Sequence, residues 1–222
     1  MKLKLSSYHG DQAIKDKYIA RMKAHMVADE LIQGIGFDGH KGCAVGCTLN
    51  NYSHYAYEME LGIPFTLAIL EDNIFDGLNK KDAMTFPIEF LEAIPLGKDL
   101  GNIYNKFEIW QLVDETHGLI IKMQTKEEKD ICQDLASLHQ KVIDGKEIHE
   151  SEFKKVADRA YRAYRAYRSD NADCADTECL TLSADSAYRT YSAYSADSAY
   201  CIYRTYLAPK MRIKLIELIK AA

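Results

Sequence analysis

Apolar positions recur at helical spacing along most of the chain. After Asp11, which reads as an N-cap, Ile14, Tyr18, Met22 and Met26 follow at four-residue steps, with Ile19 and Leu31 near the same face. This predicts an amphipathic helix of about 22 residues that stops at Gly34. The stretch from Gly34 to Cys47 reads GIGFDGHKGCAVGC, and its five glycines predict a loop or tight turns. The next helix is expected from Asn51 to Leu61, closed by Gly62. Pro64 then opens another, with Phe65, Ala68, Ile69, Phe75 and Leu78 facing the core and Glu71, Asp72 and Asp76 facing water. A helix is read over Asp82 to Ile94, with Pro87 in its first turn, and one over Asn102 to Asp114. Gly118 to Met123 (GLIIKM) is strand-like, but one strand makes no sheet, so it reads as extended or as a helix-to-helix link. Thr125 and Glu128 form a capping box ahead of Ile131, Leu135, Leu138 and Val142, and Gly145 ends that helix. Ser151 caps a further helix, and Pro209 opens a short last one. The pattern predicts an all-α protein, a multi-helix bundle with short connections.

One stretch departs from this amphipathic pattern. From Ala160 to Leu207 the chain runs in triplets, such as AYR AYR AYR and SAY SAD SAY, and holds nine of the fifteen tyrosines. A three-residue step on an α-helix falls short of a full turn by roughly 60°, so the Ala and Tyr columns spiral and put Tyr161 and Tyr188 on opposite faces. Such a helix is expected to be buried on every side. A long 3₁₀-helix, a polyproline or collagen helix, and a disordered tail each fit less well: such 3₁₀ runs are short, Pro and periodic Gly are lacking, and aromatics abound. The expectation is a long Ala/Tyr-rich C-terminal helical region, broken near Glu178 to Ser183. Residues 1–150 would form the helical core domain, with 151–222 packing on it or extending from it.

Composition narrows the function classes. The 222 residues are 47% hydrophobic, enough for a sizeable core. A net charge of −5 argues against unspecific nucleic-acid binding. Arg159, Arg162, Arg165 and Arg168 are the local exception, and their spacing fans them round a helix instead of aligning them. The opening Met1 to Leu5 is too short for a secretory h-region, and no run is long and apolar enough to span a membrane. The six cysteines therefore read as reduced thiols in a cytoplasmic protein.

The densest chemistry-bearing cluster is His40, Cys43, Cys47 and His54, with His25 and Asp29 on the helix before. Four soft or borderline ligands suit tetrahedral zinc, and His25/Asp29 and His54/Glu58 are i,i+4 pairs; the spacing is not that of paired C-x2-C knuckles. Cys43 or Cys47 in a glycine turn before a helix would also suit a thiol nucleophile of depressed pKa, with His40 or His54 as base. The glycines resemble an anion loop, yet lack the G-x-x-x-x-G-K-[ST] order and a preceding strand. No E-x-x-H occurs, which argues against a di-iron bundle. Glu71, Asp72 and Asp76 read as a solvated helix face.

The run GCAVGCTLNNYSHYAYEMELGIPFTLAILEDNIFDGL, followed by FPIEFLEAIPLGKDL, resembles a family of uncharacterised proteins from bacteria and their phages. The likeness covers most of the chain, is most specific around Gly42 to Cys47 and Tyr57 to Pro64, and implies an Ala-rich tail; here Tyr and Ser replace much of that Ala. It implies no activity, so no catalytic residue carries over. The leading expectation is a non-enzymatic interaction or structural protein without cofactor, meeting a protein partner or another copy of itself through the tyrosine-rich tail. The alternative is a small metal- or thiol-dependent enzyme using His40, Cys43, Cys47 and His54.

Overall fold

The computed structural model describes residues 5–168, Thr181, Ala184 and 202–222. The described residues are all-α, a multi-helix bundle without a strand. They belong to two compact units: residues up to Tyr104 together with Leu207–Ala222, and Asn105–Tyr206.

The first unit is built on α1 (Gln12–Val27), α2 (Ala44–Leu49), α3 (Ala56–Leu61), α4 (Phe65–Gly77) and α5 (Lys80–Ala93). Asp11 caps α1 by accepting from the Ala13 amide at 2.8 Å. The helix ends seven residues before Gly34. Asp29 takes the left-handed conformation (φ 57°), and the Glu30 amide reaches back to the His25 carbonyl, so a non-glycine residue supplies the terminating turn. The glycine-rich stretch is a loop as far as Gly42 and then becomes α2, a helix that the density of glycines conceals. Gly62 (φ 62°) closes α3 as expected. The helix read over Asn51 to Leu61 is only its second half, because Asn50 (φ 53°) turns the chain out of α2 and residues 51–55 form a connecting loop.

Two prolines sit deeper than expected. Pro87 lies inside α5, which Asn79 caps, and Pro209 lies inside the last helix, α9 (Ile202–Lys220). Each removes one helical hydrogen bond, a cost of about 3 kcal/mol in an isolated helix. At Pro87 the ring itself is buried among core side chains, which offsets that cost. The GLIIKM run is a 3₁₀ turn over Leu119–Lys122, a link between helices and not an extended segment.

The second unit contains α7 (Lys126–Ile143) and the start of α8 (Glu150–Arg168), and α6 (Ile103–Val113) carries the chain between the units. The capping box is complete: Thr125 Oγ1 accepts from the Glu128 amide at 3.2 Å and Glu128 Oε2 accepts from the Thr125 amide at 2.8 Å. Ile131, Cys132, Leu135 and Leu138 of α7 pack with Phe153, Val156 and Ala160 of α8. Ser151 lies within α8 and does not cap it. The triplets are helical from Ala160 to Arg168, and the Thr181 hydroxyl donates to the Ala160 carbonyl at 3.1 Å. The rest of the triplet region up to 201, with the expected break near Glu178 to Ser183 and with Cys174, Cys179, Tyr188 and Cys201, lies outside the described residues apart from Thr181 and Ala184.

Candidate functional site

The glycine loop and α2 are held together by backbone contact. The Cys43 amide donates to the Ile35 and Gly36 carbonyls, and Gly42 exchanges hydrogen bonds with Glu30 and Ile32. A Cβ at Gly42 or Gly46 would strike the Gly36 carbonyl oxygen, so these two glycines are required by close approach and not by an unusual φ. His40 and Lys41 give their amides to Asp38 Oδ1, and Gly34 gives its amide to Asp76. The amides of Gly34, Asp38, His40, Lys41, Gly42 and Cys43 are engaged within the protein, and the loop serves as a packing device.

The four residues of the expected metal set meet different fates. His40 is exposed on the loop. Cys43, fully buried, caps α2 by accepting from the Gly46 amide through Sγ at 3.4 Å. Cys47, one turn on, donates its thiol to the Gly42 carbonyl at 3.4 Å. Burial, and then the Asp72 charge, push the Cys43 thiol far above its ordinary range; burial pushes Cys47 up to about 12. Neither is the low-pKa thiolate that a nucleophile requires. Among the described residues no three His, Cys, Asp or Glu side chains are grouped to hold a metal ion. The i,i+4 pairs do not form either. His25 bridges Glu30 (2.6 Å) and Asn50 (2.8 Å), and His54 turns away from Glu58 toward Asp72.

His54 and Cys43 instead lead to α4. Its acids were expected on a wet face, and the structure corrects this: Glu71 is 0% exposed and Asp72 8%. The reason is rotational. Leu67, Leu70, Ile74 and Phe75 are buried along with Ala68, so α4 is enclosed on most sides, and Glu71 and Asp72 lie within that arc. Tyr57 of α3 donates to Glu71 Oε2 at 2.6 Å, with the Thr48 hydroxyl of α2 close by. Tyr52 donates to Asp72 Oδ2 at 3.3 Å, and His54 Nε2 meets the same oxygen at 3.3 Å. The Tyr52 and His54 rings meet edge to face, centroids 5.2 Å apart, and Tyr52 is half-exposed. Tyr52 lies flat over Gly36, where a Cβ would come within 2.7 Å of its Cγ.

Three buried oxygens of this cluster lack a hydrogen-bond partner of good geometry, Thr48 Oγ1, Glu71 Oε1 and Asp72 Oδ1; the Tyr57 hydroxyl lies by the first and the Cys43 thiol by the Asp72 carboxyl. Burial drives the Glu71 carboxyl well above the usual range, against the Tyr57 hydrogen bond that favours its charged form. Tyr57 is likewise raised, by burial and then by Glu71. The arrangement joins a carboxyl that burial pushes toward its neutral form, an aspartate bridged to an imidazole, and two tyrosines. The sequence did signal it: Glu71 and Asp72 interrupt LAIL and IF, an apolar run too continuous to leave a wet face. No family model, curated protein or solved structure matches the chain. No helix among the described residues is long and apolar enough to cross a membrane.

Proposed function

We propose that the first unit is a small-molecule site working by proton transfer, with Glu71, Asp72 and His54 as its acid–base groups. The observation that carries this reading is the pair of uncapped carboxyl oxygens on adjacent residues of one buried helix turn. A buried polar atom without a partner costs about 1–3 kcal/mol, and such atoms gather where a ligand completes the bonding. Glu71, pushed toward its neutral form by burial, accepts from Tyr57 on one oxygen, and the other is where it would carry a proton to give. Asp72 orients His54 as the group that takes one. Neighbouring carboxyls in unlike environments, one fully enclosed and one bridged to the surface by Tyr52 and His54, are what a division of acid and base roles requires.

The reading is tested by a thermal-shift screen of a small-metabolite library on the wild type, His54→Gln and Asp72→Asn. Compounds that stabilise the wild type and lose that effect in both variants are expected. A library without such a compound, or hits indifferent to both variants, would end it.

A second reading keeps the triplet region as an interaction surface, for a protein partner or for self-association. What supports it is Tyr161, 52% exposed with the Arg165 guanidinium over its ring at 5.8 Å. Rigid amphipathic side chains of this kind supply contact area at low entropic cost.

A further inference from the structure

Resting on the reading of Glu71 and Asp72 as a ligand site, we propose that the group recognised there is an organic cation, an ammonium or guanidinium, received by Asp72 Oδ1 and Glu71 Oε1 and flanked by Tyr52 and His54. Tyr57 serves Glu71 Oε2, Tyr52 and His54 serve Asp72 Oδ2, and the Cys43 thiol faces the Asp72 carboxyl from α2. Of the oxygens left over, Asp72 Oδ1 accepts, Glu71 Oε1 accepts once its proton has left, and Thr48 Oγ1 is a hydroxyl beside Tyr57, so a donating group that replaces the Glu71 proton completes the bonding. An anion is refused by the Asp72 carboxylate, and the amides of the neighbouring loop are spent on Glu30, Ile35, Gly36 and Asp38.

A metal ion is the other cation to weigh. It demands several converging ligands, and among the described residues no three such side chains are grouped. An ammonium brings three hydrogen-bond donors and a guanidinium five, so each needs acceptors at hydrogen-bond distance and no closed coordination sphere. Aromatic rings at the outer side suit the same guest, because the face of Tyr52 attracts a cation. The two contacts joining Tyr52 and His54 to Asp72 are both long, 3.3 Å, and these are the bonds an entering group must displace or share.

Charge balance gives the proposal a signature. Burial pushes Glu71 toward its neutral form, and a bound cation favours its carboxylate, so binding is expected to exchange a proton for the cation. A protonated amine sends the Glu71 proton to solvent; a neutral amine takes that proton and becomes ammonium in place. The groups facing Glu71 are Tyr57 of α3, Tyr8 of the N-terminal turn and Asp72 of its own helix, with Cys43 and His54 beyond Asp72. Tyr8, Tyr57 and Cys43 are all held in their protonated, neutral forms by burial, which leaves Glu71 as the group whose proton the cation displaces. For a protonated amine, one released proton makes affinity rise about tenfold for each unit by which pH is raised, as long as Glu71 is protonated in the free protein.

The test is calorimetric titration of the full chain with putrescine, agmatine, 1,4-butanediol and succinate at several pH values. Putrescine or agmatine is expected to bind with proton release, and butanediol and succinate are not. Asp72→Asn should weaken amine binding at least tenfold, and Glu71→Gln, close to isosteric, should abolish the proton release. Circular dichroism identifies a variant that has failed to fold, and Tyr52→Phe, which keeps the ring and loses only the hydroxyl, then takes its place with a smaller loss expected. Binding of butanediol or succinate in an Asp72-dependent manner, without the amines, overturns the cation assignment and leaves the site standing. Absence of binding by all four, together with a metabolite screen that finds no His54- and Asp72-dependent compound, removes both.

Discussion

Gly46 shows how residue-scale rules can point one way and packing the other. It sits inside α2 with a buried environment, and helix propensity alone says that alanine there gains about 1 kcal/mol. The added Cβ would strike the Gly36 carbonyl oxygen and crowd Phe37, and a backbone atom does not swing aside as a side-chain tip does. Overpacking of this kind costs about 1–3 kcal/mol, which exceeds the propensity gain. Gly46→Ala is therefore expected to lower the urea midpoint, and an unchanged or raised midpoint would contradict the packing role given to the loop. Glu71 carries the opposite lesson. Its charge suggests water and its position forbids it, and the conflict between the two makes it the centre of the candidate site.

The last helix is the element most displaced from its expected place. Leu207, Ala208, Met211, Leu215, Ile216 and Ile219 are buried, and Arg212 reaches back to Asp82 (3.2 Å) and Glu89 (2.6 Å) on α5. Chain order groups residues 207–222 with the triplet tail, whereas packing groups them with the first hundred residues. A fully buried Leu215 predicts that Leu215→Ala costs about 2–5 kcal/mol, read as a loss of unfolding free energy in a denaturant titration. A loss within experimental noise would mean that the helix is an appendage and not part of the first unit's core. The legible elements were those with both a periodic apolar face and a local stop signal: α1 from Asp11, α3 up to Gly62, α6, and α7 from its capping box. The elements missed were those fixed by something else. No stop residue near Val27 announces the end of α1, because Asp29 adopts the left-handed turn under the hold of the His25 carbonyl. The glycines that look like a break are what let α2 form against Gly36.

At the scale of the whole molecule, the described residues make an all-α protein of two compact units, and the triplets from Ala160 to Arg168 belong to the second. The described part of that region is helical through Arg168, with Ala160 buried and Tyr161 exposed on successive positions. If the tyrosines act as a contact surface, replacing those of the triplets by serine should turn a self-associated wild type into a monomer, as measured by size-exclusion chromatography with light scattering. A strictly monomeric wild type that captures no partner through those tyrosines would sink that reading. The candidate site is independent of it, because the Glu71 cluster lies wholly in the first unit.

Sequence alone determined the fold class and most helix positions, because a 3.6-residue apolar period and capping signals are local properties of the chain. It also marked the neighbourhood of the site, since His54 and Cys43 stand in the one stretch dense in reactive side chains. What only tertiary structure decided is which of those side chains meet. Whether a helix face is wet or enclosed depends on what packs over it, and α4 is covered by α2, α3 and α5. That enclosure turned Glu71 and Asp72 inward, kept the thiols of Cys43 and Cys47 protonated, and brought His54 from a loop to a carboxylate 18 positions further along the chain.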